Sequence, residues 1–348
     1  MSFLEELAKV SKNEYATIVE NGTTGDCVEF LDSGVYLLNA LMSGSIYGGF
    51  PGNRITAIAG ESSTGKTYFA LSVVRTFLEK HTDGGCVYFE SESALRKEDF
   101  VQRGIDASRV IMLPVTTVQD FKTQAVRILD KYMETPKEER KPLMFVLDSL
   151  GMLSTTKEVN DASEGKDVRD MTRSQLIRGA FRVITLKLGQ ANVPLLVTNH
   201  TYDSIGYVTT KEMSGGSGLK YSASSIVFLS KKKVKEQNNT EQTGVLIRTE
   251  LVKSRLAREG GKVEVHLDFT NGLDKYHGLV DFACAAGIWK KSGSRIKVGE
   301  STPYSSQIYK DPLKYFTTDV LDQLDVFAQK VFKYGGGQSL EEEPDDEL

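Results

Sequence analysis

Short apolar runs recur along the 348 residues, at Arg54–Ala59, Cys86–Phe89, Val110–Leu113, Leu143–Leu147, Pro194–Thr198, Ser225–Ser230, Val245–Lys253 and Lys262–Phe269. Their length and bounding polar residues predict strands. Between the earlier runs the apolar period lengthens and predicts helices over about 66–80, 118–133 and 172–190. Strands alternating with helices predict an α/β fold with a largely parallel central sheet. The last strands follow one another closely, which predicts an antiparallel edge. Ahead of this region, Ser2-Phe3-Leu4-Glu5 fits a capping box, and Phe3, Leu4, Leu7 and Val10 share one helical face. That face must pack on its own domain or on a neighbouring subunit. Asn271-Gly272 marks a break, after which helices are expected at about 278–287 and 317–333. The pattern divides the chain into an N-terminal helical segment (1–30), a core (31–271), a small C-terminal domain (272–335) and a tail (336–348).

Composition adds limits. With 40% hydrophobic and 26% charged residues this is an ordinary globular chain of about two domains. The three cysteines, Cys27, Cys86 and Cys284, form no C-x-x-C pair, so a reducing compartment, the cytoplasm, is expected. The start lacks the pattern of a secretory signal, and no apolar run approaches a membrane span. The formal net charge is −4, but the stretch "EEEPDDEL" (341–348) carries six acids and no base, so the body is nearly neutral. The tail reads as a solvated, disordered appendage.

The chemistry begins at "GESSTGKT", residues 60–67, a full G-x-x-x-x-G-K-[ST] match between a strand and a helix. Gly60, Glu61, Ser62, Ser63, Thr64 and Gly65 would present backbone N–H groups to phosphate oxygens. Lys66 would reach the β- and γ-phosphates of ATP, and Thr67 would ligate Mg²⁺. "LMFVLDS" (143–149) ends an apolar run in Asp148, placed to hold Mg²⁺ through water. "VYFESES" (87–93) ends another in Glu90 and Glu92. A carboxylate there could polarise the water that attacks the γ-phosphate. His200 closes the run Pro194–Thr198 and precedes a polar, glycine-rich segment. Active groups in open α/β sheets gather at the carboxyl ends of strands, where Gly60, Glu92, Asp148 and His200 all fall.

Beyond these motifs, "DSLGML", "DVRDMTR", "NVPLLVTNHTY" and "GGSGLKYSAS" follow in an order and spacing that resemble the RecA-type recombinases, most closely the UvsX-type recombinases of T4-type phages. "LVKSRLA" (251–257) and "GLDKYHGLVDFA" (272–283) extend the resemblance to about residues 30–335. It implies a RecA-like ATPase core, a self-associating N-terminal segment, and an ATP-dependent helical filament on single-stranded DNA. It further implies pairing with homologous duplex DNA in recombination, repair and replication, with single-strand-binding and mediator proteins as further partners. The place of action would be the bacterial cytoplasm, the host's if the chain is phage-encoded. By resemblance Glu92 is the catalytic glutamate and His200 a γ-phosphate switch. Lys253 and Arg255 reach the neighbouring subunit's ATP. The adenine-stacking aromatic aligns with Asp99, beside Phe100, the nearest aromatic. A ring-shaped DNA helicase motor shares the nucleotide motifs and is the alternative.

The resemblance places the first DNA-binding loop at about 156–168 and the second at about 201–217. The candidate DNA contacts are Lys166, Arg169, Arg173, Lys211, Gly215, Gly216, Ser217 and Gly218. Residues 157–173 carry Lys157, Lys166, Arg169 and Arg173 against five acids, so this is no basic patch. "KKKVK" (231–235) reads as a solvated strand end. DNA contact would therefore lean on backbone N–H groups and on repetition of weak sites along one strand.

Overall fold

The computed structural model describes residues 3–13, 15–23, 25–27, 29–166, 170–204, 210–232 and 244–335. One large sheet organises them. Its strands are β1 (Ile55–Gly60), β2 (Gly85–Glu90), β3 (Val110–Pro114), β4 (Leu143–Asp148), β5 (Leu195–Ser204), β6 (Thr210–Met213), β7 (Ser225–Lys232), β8 (Gly244–Ser254), β9 (Lys262–Asp268) and β10 (Gly272–Leu273). The order across the sheet is β10-β9-β8-β7-β1-β5-β4-β2-β3, and β6 pairs with the far end of β5. From β7 to β3 every pairing is parallel. From β7 to β10 every pairing is antiparallel, as the short connections predict.

The strand sequences explain this division. All six residues of β1 are buried, and β4 is buried from Met144 onward. Such runs belong in the middle of a sheet covered on both faces. Strand β9 alternates instead, with Val263, Val265 and Leu267 inward. It has one face to cover.

Alternation along the buried strands sorts side chains into two cores. Ile58, Tyr88, Met144 and Val146 face one hydrophobic cluster. Ile55, Ala57, Val87, Phe89, Phe145 and Leu147 face the other. Helices α2 (Tyr36–Ser43) and α3 (Lys66–Lys80) cover the first face. Helices α4 (Val118–Met133) and α6 (Arg173–Ala191) cover the second. Thr117 caps α4 by accepting from Asp120 N at 3.1 Å. Phe121 and Phe181, from those two helices, are fully buried. Each such side chain contributes about 1.5–3 kcal/mol on burial.

Helix α1 (Phe3–Val10) forms where the pattern places it, but none of its residues is buried; Ser2, its expected cap, lies outside the described residues. Beyond β10 come α8 (Leu279–Ala285), a hairpin of Lys290–Ser292 and Arg295–Lys297, and α9 (Thr318–Phe332). Apolar residues of this region, including Phe282, Trp289, Leu324 and Phe332, join the cluster that holds Leu37, Leu38 and Leu41 of α2. No helix among the described residues is long and apolar enough to cross a membrane. The tail 336–348 and most of "KKKVK" lie outside the described residues.

Candidate nucleotide and DNA site

Strand register brings the expected residues to one end of the sheet. Gly60 pairs with His200 across β1 and β5, and Glu90 pairs with Asp148 across β2 and β4. The phosphate-binding loop leaves β1 at Gly60, where a Cβ would meet Thr64 Oγ1 at 2.6 Å and the Leu229 carbonyl at 2.8 Å. Only glycine allows the loop to close so tightly. Thr64 Oγ1 donates to the Glu61 carbonyl at 2.9 Å and braces the turn. Ser62 and Ser63 are exposed, and Gly65 takes φ +89° to launch α3.

Lys66 is 7% exposed, and its ammonium donates to the carbonyls of Gly60 (3.1 Å) and Glu61 (2.8 Å). Burial lowers its pKa below the usual lysine value, against the pull of Glu92 and Asp148. The loop's own carbonyls thus hold the ammonium where phosphate oxygens would compete for it.

Asp148 is 6% exposed and accepts three hydroxyls: Thr67 Oγ1 (2.9 Å), Tyr88 OH (2.7 Å) and Thr198 Oγ1. Tyr88 and Thr198 are parts of this site that the sequence reading did not single out. A hydroxyl and a carboxylate side by side are the hard oxygen donors that suit Mg²⁺, which keeps few protein ligands beside water and phosphate. The chemistry of Thr67 and Asp148 therefore fits the ion.

The two strand-end glutamates have different tasks. Glu90 is buried, and its carboxylate accepts from the N–H groups of Glu92 (3.0 Å), Ser93 (2.7 Å) and Ala94 (3.0 Å). It ties the turn. Glu92 stands clear of that knot, about one-third exposed. Its Oε1 accepts from Ser149 Oγ at 2.7 Å and lies 3.4 Å from His200 Nε2. Ser149, the residue after Asp148, is a third unforeseen member of the site.

His200 also sits at the root of the second loop. Its carbonyl accepts from Ser214 N at 2.9 Å, and Asn199 Nδ2 donates to the Ser214 carbonyl at 2.8 Å. Beyond it β5 and β6 form a hairpin in which Tyr202 faces Glu212. Lys211 reaches back from this hairpin to Glu61, with Nζ 2.8 Å from Oε1.

Several expectations need correction. Phe100 is 4% exposed and packs edge-to-face on Tyr88 at 5.8 Å, so it cannot stack on a base. A cavity of about 230 Å³ opens beside α3 instead, lined in part by Tyr68, Asp99, Arg103 and Phe269; the Arg103 guanidinium lies 4.4 Å over the Tyr68 ring. Arg173 is taken by its own chain: Nε donates to the Leu153 carbonyl (3.0 Å) and Nη2 to that of Gly151 (3.0 Å). It braces the turn after Asp148 rather than facing DNA. The bare faces of Gly215, Gly216 and Gly218 lie against Ile177, Ser174 and Arg178 of α6. Those glycines serve close packing on a helix, where DNA approach was expected. Ser217 opens the short helix α7 (Ser217–Ser222).

The first loop is in part helical, α5 (Thr156–Ser163), because Thr155 and Glu158 form a capping box. Lys166 pairs with Glu164 and Lys157 with Asp161, so both of these lysines already face a carboxylate. Arg169 lies outside the described residues. Lys253 donates to the carbonyls of Lys220 (2.6 Å) and Ala223 (2.8 Å) at the end of α7, while Arg255 beside it is exposed.

Comparison with known proteins accords with this geometry. A family model described as the RecA N-terminal domain matches residues 5–274. The chain is 30% identical over 252 residues to the recombination and repair protein of Enterobacteria phage T4, covering 72% of this chain and 62% of that protein. It is 28% identical over 296 residues to Protein RecA of Mycoplasmopsis pulmonis, covering 84% and 82% of the two chains. It is 27% identical over 256 residues to Protein RecA of Thermus aquaticus, covering 73% and 72%.

Proposed function

The chain belongs to the RecA family, and from that premise we propose that it is an ATP-dependent recombinase. It assembles as a helical filament on single-stranded DNA, pairs that strand with a homologous duplex, and hydrolyses ATP in response to DNA. One observation carries the reading: the carboxylate of Glu92 meets His200, and the His200 carbonyl is bonded to the foot of the second loop. A group placed to sense the terminal phosphate is thereby tied to the segment expected on DNA.

In this reading the triphosphate draws Lys66 away from the carbonyls of Gly60 and Glu61. Thr67 and Asp148 would hold Mg²⁺, which would neutralise phosphate charge when bound. Glu92 orients and polarises the attacking water, with Ser149 Oγ fixing one carboxylate oxygen. His200 shares that oxygen, so a change at the terminal phosphate alters the Glu92–His200 contact and, through Ser214, the hairpin. The base occupies the cavity between Tyr68, Arg103 and Phe269, where an aromatic ring and a guanidinium plane suit a flat heterocycle. Arg255 faces the neighbouring subunit's nucleotide. Lys253 shapes the exit from the second loop.

ATPase measured with and without single-stranded DNA tests the proposal. Hydrolysis that rises with the strand, and helical filaments by electron microscopy, are expected. Equal hydrolysis in both conditions, or closed rings that unwind duplexes, would overturn it.

A further inference from the structure

Glu61 belongs to the phosphate-binding loop, yet its carboxylate faces away from the loop's interior. It is about 59% exposed and pairs with Lys211, 150 residues later and itself about 40% exposed. Lys211 holds the Glu61 carboxyl below the usual carboxylate range. The same residue uses its carbonyl to hold Lys66 at 2.8 Å. One residue therefore grips two lysines, one destined for nucleotide phosphate and one standing on the hairpin of the second loop. Strand β6 carries Lys211 in register with Asp203 of β5, three residues beyond His200. An ammonium there can satisfy Glu61 or a DNA phosphate, but not both at full strength.

We propose that Glu61 is the resident counter-ion of Lys211, a positioning residue that DNA backbone phosphate must displace before the hairpin can engage the strand. The inference rests on the recombinase reading for its DNA ligand. It assigns the phosphate-binding loop a second task, control of a lysine on the neighbouring hairpin. An exposed ion pair shifts an equilibrium by at most about fivefold, so the effect sought is modest and needs a cycle of variants.

The experiment measures binding of fluorescent oligothymidylate to the full chain, without nucleotide and in a second arm with ATP, at several salt concentrations. Glu61→Gln should bind about two- to fivefold more tightly than the parent. Lys211→Gln should bind more weakly and lower the slope of log affinity against log salt by about 0.7. In the Lys211→Gln background, Glu61→Gln should change nothing. Glu61→Ala replaces Glu61→Gln if that variant fails to fold. A Glu61 variant no tighter than the parent would overturn the inference. So would a gain that persists without Lys211, since it would report general charge repulsion. A parent that binds no single-stranded DNA even with ATP present would instead sink the recombinase reading itself.

Discussion

Glu90 and Glu92 stand two positions apart at the end of one strand and do opposite things. Glu90 spends both oxygens on three backbone N–H groups. Glu92 keeps its carboxylate for Ser149 and His200. Glu92→Gln should retain ATP binding and lose about 10²–10⁴ in hydrolysis rate, read by steady-state ATPase beside a nucleotide-binding titration. Lys66→Ala should weaken ATP binding about 10- to 100-fold, the worth of a charge-assisted hydrogen bond. A titration with labelled nucleotide checks this. His277 offers a test by pH. Burial lowers its pKa below the ordinary 6.5, opposed by Asp274 and reinforced by His266, with Glu264 and Asp281 also opposing. The unfolded chain then binds the proton more readily than the folded one. The stability that His277 lends is complete above its unfolded value and is lost as pH falls through the folded value. His277→Gln should flatten the fall in Tm as pH drops below the ordinary histidine value of 6.5.

At the scale of elements, the turn after β4 and the segment around α7 depend on contacts that no local pattern announces. Arg173 reaches from the start of α6 to the carbonyls after Asp148. Arg173→Ala leaves those carbonyls unpaired and should cost about 1–3 kcal/mol, seen in urea unfolding. Gly218 lies so close to α6 that a Cβ would sit 2.9 Å from Arg178 N and 3.0 Å from its Cα. Gly218→Ala must push α7 off the helix, at about 1–3 kcal/mol by the cost of overpacking. The long helices and the parallel strands were legible because each carries a continuous period. The helix within the first loop was not, although Thr155 and Glu158 have capping-box spacing. It is short, and its sequence is as polar as a loop.

For the whole molecule, the boundary expected near residue 272 separates two kinds of sequence but not two cores. Leu37, Leu38 and Leu41 of α2 belong to the same cluster as Phe282, Leu324 and Phe332. The core and the segment after residue 272 should therefore melt in one cooperative transition. Truncation after residue 271 should expose the α2 face and broaden or abolish that transition, as calorimetry would show. Helix α1 leaves Phe3 and Val10 more than 70% exposed.

Sequence alone settled whatever depends on neighbours along the chain. Strand and helix periods, the glycine–lysine–threonine loop and the acids at strand ends all rest on local backbone geometry and side-chain chemistry. It also placed Glu92 and Asp148 at the carboxyl ends of strands, because a parallel sheet brings those ends together; His200 lies level with the end of β1 but inside β5, which runs on to Ser204. Tertiary structure decided which group faces which. It buried Phe100 against Tyr88, turned Arg173 inward and joined Glu61 to Lys211 across 150 residues. Such choices follow from packing and from the need to satisfy buried polar groups, both set by residues distant in the chain.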